Sequence, residues 1–178
     1  MILKERSWYR DDRPNLIGIK TVDKSVFHYG TQVPLKFAPF FAEANKKPLP
    51  ERGEKSEIVL VVNGVEYKAN FHNMNRKGIA SDTFQIRYDG NSRLKDLLRR
   101  VFSHSFTALA GNADVKIEDI ENEEETLSVV ETMEFYATET PMKYDVRLQP
   151  SEETKQEVRI WWVNQGVTIQ AAQNEGVI

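Results

Sequence analysis

The chain has no cysteine among its 178 residues. That excludes disulfides, thiol nucleophiles and thiolate metal sites, and it agrees with a reducing cytoplasm, the expected location. No apolar run approaches the roughly 18 residues a membrane-spanning helix needs, so no membrane partner is expected. The opening residues, MILKERSWYRDDR, carry charges throughout and lack an apolar h-region. No secretory leader is therefore expected. Histidine is scarce, with only His28, His72 and His104, and no pair has the spacing of helix-borne metal ligands. Phosphate-cradling glycine loops, a G-x-S-x-G elbow and internal repeats are also missing. No cofactor, no metal site and no catalytic centre in this chain are expected.

What is present fits one globular core. Apolar residues make up 40% of the chain, and this length suffices to bury a single hydrophobic interior. The net charge of −3 hides an asymmetry. Residues 1–112 hold nineteen Lys and Arg against twelve Asp and Glu, whereas residues 113–178 hold five against fifteen. A basic half can meet a polyanion while an acidic half keeps the molecule soluble.

The local patterns are mostly those of strands. LIGIKTV (16–22) is β-branched and alternating. EIVLVV and VEYKANF flank Asn63-Gly64, the dipeptide suited to a two-residue hairpin turn. After that turn Val65, Tyr67, Ala69 and Phe71 alternate with Glu66, Lys68, Asn70 and His72, which predicts one buried and one wet face. TFQIRYD, LSVVETMEFYAT, KYDVRLQ and QEVRIWWV read as further strands. Two helices are predicted. One covers 34–43, with Pro34 in its first turn and Pro39 ending or distorting it. The other runs from a cap at Asn91 or Ser92 toward a stop at Gly111, with Leu94, Leu97, Leu98, Val101, Phe102 and Phe106 at helical spacing. Residues 112–125 are rich in acids and read as an exposed connector. The expected fold is mainly β with two helices, a mixed or antiparallel open barrel. Residues 1–15 would be an N-terminal arm, 16–170 one domain, and 171–178 a tail or a linker to a further domain.

Two polar loops carry the chemistry that nucleic acid would need. The first is DKSVFHYGTQ (23–32) and the second NMNRKGIASD (73–82). Arg and Lys match guanine acceptors, and Asn and Gln match adenine bidentately. Lys, Ser, Thr and Tyr hold phosphate oxygens.

A strand, a polar arm, Val33-Pro34-Leu35-Lys36-Phe37, a charged linker and the hairpin Ile58–Phe71 together resemble the DNA-binding pseudobarrel. That fold serves plant "B-three" transcription factors and the target-reading domains of restriction endonucleases such as EcoRII and BfiI. The I-R-Y-D-G-N segment and the helix after it are closer to the restriction-enzyme branch. The resemblance covers about residues 16–110. The plant family's glycine-tryptophan segment is missing. The resemblance implies sequence-specific recognition of double-stranded DNA by two arms in the major groove. A covalently linked nuclease domain would supply catalysis. By position the first arm falls on Lys24–Gln32 and would contribute Lys24, Ser25, His28, Tyr29, Thr31 and Gln32, with Lys20 and Lys24 as phosphate contacts. The second would contribute Asn73, Asn75, Arg76 and Lys77, with Arg87 and Tyr88 beside it as backbone clamps. Two alternatives stand beside this reading. One is a metal-dependent nuclease centred on Glu66 and Lys68, since an E-x-K triplet on a strand can serve such enzymes. The other is a protein-interaction module using Trp161, Trp162 and the acidic half.

Overall fold

The computed structural model describes residues 2–107 and 130–151. The Trp161–Trp162 pair, the acidic connector, the expected strand QEVRIWWV and the 171–178 tail lie outside the described residues. Among the described residues nine strands form one mixed sheet: β1 (Leu3–Glu5), β2 (Trp8–Arg10), β3 (Leu16–Thr21), β4 (Gly30–Val33), β5 (Lys55–Val62), β6 (Val65–Asn73), β7 (Phe84–Arg87), β8 (Thr132–Ala137) and β9 (Lys143–Gln149). Their spatial order is β1-β2-β3-β8-β9-β5-β6-β7-β4. All neighbours run antiparallel except β5 and β9. The protein is therefore mainly β, an open half-barrel.

The hairpin forms as its turn chemistry requires. Asn63 and Gly64 both take positive φ, 50° and 79°, the geometry that matches the twist of the flanking strands. Tyr67, Ala69 and Phe71 are buried, but Val65, next to the turn, stays exposed.

The first helix differs from expectation at its start. Pro34 accepts a bond from the Phe37 amide at 2.9 Å, and α1 spans Ala38–Asn45. Pro39 sits in the first turn, where its missing N–H costs nothing, so it starts the helix instead of ending it. Beyond the expected pair there is a third helix. α2 (Ser92–Val101) is capped by the Asn91 side chain on the Leu94 amide. The backbone then breaks at Phe102, and α3 covers Ser103–Phe106. The break lets Phe102 drop fully into the core beside Leu94 and Leu98.

Residues 3–10, expected as an arm, form strands β1 and β2, and Trp8 enters the core. Its ring stacks on Phe135 at 5.5 Å and meets Phe37 and Phe41. Its indole N–H donates to the Gln32 carbonyl at 2.8 Å. That bond crosses the seam between β2 and β4, where the two ends of the sheet approach each other. Among the described residues no helix is long and apolar enough to cross a membrane.

Candidate nucleic-acid interface

The two polar loops leave the sheet at opposite ends of one short strand. β7 pairs with β4 on one side, Gly30 opposite Arg87 and Val33 opposite Phe84. It pairs with β6 on the other, Asn70 opposite Arg87 and Asn73 opposite Phe84. The first loop enters at the Gly30–Arg87 end. The second spans residues 74–83 and closes at the Asn73–Phe84 end. Four residues of extended chain put about 10 Å between the loop bases.

The first loop is a pinned structure, not a free arm. Asp23 caps a 3-10 turn over Lys24–Phe27 by accepting from the Ser25 amide. Val26 and Phe27 are fully buried. Their carbonyls accept from the Tyr88 hydroxyl at 2.7 Å and from Arg99 at 3.1 Å. Phe27 packs on Phe106 with ring centres 5.2 Å apart.

This pinning sorts the expected first-arm residues. Lys24 and His28 are exposed, and Ser25, Tyr29 and Gln32 are half-buried. Thr31 points inward and is buried, because it shares the core face with Ile86 and Phe71. Lys20 is buried too, bonded to Ser7 and Asp23. Tyr88 is an internal tie to Val26 rather than a surface clamp, and burial pushes its phenol well above the ordinary range.

In the second loop Asn73 is buried and works as a staple. Its amide donates to Pro50 O at 3.1 Å and to Asp82 at 3.0 Å, and its oxygen accepts from the Thr83 amide. Arg52 holds the far side through the Ala80 carbonyl. Asn75, Arg76 and Lys77 stand exposed near the tip, before Gly78 at φ 79°. Neither Arg76 nor Lys77 has an ion-pair partner among the described residues.

Between the loop bases lies a polar sheet face that sequence reading found only in part. Residues directly opposite on neighbouring strands share a face. Phe71, Phe84 and Ile86 face the core, so the residues alternating with them face out. Gln32, Gln85, His72 and Lys55 then form one row across four strands. Gly30, Arg87, Asn70 and Glu57 form the next. Arg87 links the rows to the first loop. Its guanidinium lies 5.1 Å from the Tyr29 ring centre and donates to Gln85 at 3.0 Å and Asp89 at 3.1 Å. A groove of about 640 Å³ extends this face past Asn70 and Arg87 to Lys68 and Arg93. Gln85, His72, Asn70 and Lys55 were missed because their grouping comes from cross-strand register. The wet-face alternation after Asn63-Gly64 was the one available signal, and it did flag Asn70 and His72.

Cations and carboxylates alternate on this face: Lys68, Arg87 and Arg93 line the groove together with Glu57, Glu66 and Asp89. Burial, then the charges of Arg87 and Lys55, holds His72 below its ordinary value of 6.5. Partial desolvation, then Lys24, Arg99 and Lys95, does the same to His28, although much of its surface stays exposed. Both therefore bind fewer protons folded than unfolded below about pH 6.5, so stability falls as pH drops through that window. Urea titrations from pH 7.5 to 5 should show that loss, and it should be smaller in His72→Gln.

Glu66, one half of the alternative catalytic pair, is held by Lys143 at 2.9 Å, and Lys68 is exposed. Among the described residues no three carboxylates or histidines converge as a metal site would require. Comparisons with family models, with curated proteins and with solved structures found no match to this chain.

Proposed function

We propose that this chain is a sequence-reading module for double-stranded DNA. The reading rests on one arrangement: two polar loops framing a β face that presents Gln32, His72, Asn70 and Arg87 side by side, with Gln85 buried beneath Arg87 and bonded to it. These are the side-chain types that pair with base edges. The separation of the loop bases, about 10 Å, is close to the roughly 12 Å width of the major groove. The excess of basic residues falls in the same half of the chain, which suits a polyanionic partner. In this role Arg76 and Asn75 reach base edges from the second loop. His28 and the Arg87–Tyr29 stack do so from the first, and Lys24 and Lys77 hold phosphates. The resemblance of the V-P-x-x-F segment and hairpin to restriction-type pseudobarrels extends the proposal. The module would direct a linked nuclease domain to its target and would not itself cut.

Selection of bound sites from random duplexes tests the reading. A defined motif should emerge, with affinity falling steeply as salt rises. On that motif Arg76→Ala should lose about 1–3 kcal/mol and relax one base position. Lys77→Ala should weaken every duplex alike and reduce the salt slope by about one. No enrichment over the input pool would overturn the proposal.

A further inference from the structure

A second concavity opens in the seam of the half-barrel, at the root of the first loop. It has a volume of about 210 Å³. Trp8 and Pro34 form apolar walls, and Arg6, Lys20, Tyr29 and Gln32 supply polar ones. It borders the reading face directly, since Tyr29 carries the Arg87 guanidinium and Gln32 stands opposite Gln85.

The charges in this cavity leave one cation uncompensated. Lys20 is buried, and two of its three protons go to Ser7 and Asp23. Asp23 is fully engaged in turn: one oxygen takes Lys20 and the other takes the amide and hydroxyl of Ser25. That pair is neutral as a unit. Arg6 lies exposed on the turn between β1 and β2, with no carboxylate partner among the described residues. Its guanidinium presents a fixed fork of donors matched to phosphate oxygens. Lys20 and Gln32, which also line the cavity, carry further N–H donors.

We infer that this cavity seats one backbone phosphodiester of the bound duplex, with Arg6 as its charged partner. One net positive charge matches the single negative charge of a diester better than the charge of about −1.5 to −2 on a phosphomonoester at pH 7. The seat fixes how the duplex lies on the reading face while carrying no sequence information of its own. It rests on the DNA-reading function proposed above.

The test replaces single phosphates of the selected duplex with neutral methylphosphonates, one position at a time. It compares the wild-type protein with Arg6→Gln. Thermal melting of both proteins checks that the exposed substitution leaves the fold intact. One position should weaken the wild type about tenfold, the effect of one charge-assisted contact. Arg6→Gln should lose a similar factor on the unmodified duplex and lose nothing further at that position. Losses that multiply at every position would overturn the seat while leaving DNA reading intact. Failure of the wild type to prefer any duplex would overturn both.

Discussion

Trp8→Ala should lose about 3–5 kcal/mol of stability, the cost of emptying a large buried aromatic site. Trp8 is almost wholly buried and touches Phe37 and Phe41 at the start of α1 and Phe135 in β8, two distant parts of the chain. No neighbour can collapse into the space without giving up its own ring contacts. A second loss comes from the indole N–H on the Gln32 carbonyl, which holds the open seam together. Trp8→Phe keeps most of the ring area and removes that bond. It should cost about 1 kcal/mol for the bond plus a smaller packing loss. Urea denaturation of the two variants separates the contributions. Equal midpoints for Trp8→Ala and the wild type would show that the N-terminal strands do not contribute to the core.

Much of the β framework was legible from local chemistry. Asn63-Gly64 permits positive φ at two successive positions, so the hairpin and its wet face followed from the dipeptide. Val33 and Phe37 are both buried, so the V-P-x-x-F segment does anchor the end of the first loop. Strands β1 and β2 were not legible. Each has three residues, too short for alternation to register, and charged neighbours disguise Trp8. The candidate site was legible as a list of polar loop residues but not as a surface. Lys20, Thr31, Asn73 and Tyr88 look like surface groups in sequence. They are buried because each satisfies a backbone or charge partner inside the loop roots, or shares a core-facing row. Gln85 and Lys55 lie far apart in the chain. Only strand pairing brings them into one row.

Gly30→Ala should disable the proposed reading face with an effect that a simple loss of surface chemistry would not produce. Gly30 has φ +141°, a conformation that side-chain-bearing residues rarely adopt. A Cβ there would stand 1.9 Å from the Ile86 carbonyl oxygen, which is backbone and cannot rotate away. Strained φ and the forced backbone shift together cost about 3 kcal/mol or more. The site of that cost matters as much as its size. Gly30 opens β4 opposite Arg87, and the next bond holding this corner runs from the Tyr88 amide to the Tyr29 carbonyl at 2.8 Å. Pushing β4 off β7 separates Tyr29 from Arg87 and breaks the row from Gln32 to Lys55. The hairpin of β5 and β6 is left in place. Amide exchange should therefore show protection lost in residues 24–33 and 84–88 and retained in 58–71. Binding to the selected duplex should fall to the level of random sequence. Retention of specific binding by a folded Gly30→Ala protein would detach the β4–β7 corner from DNA reading. Recognition would then have to rest on the second loop alone.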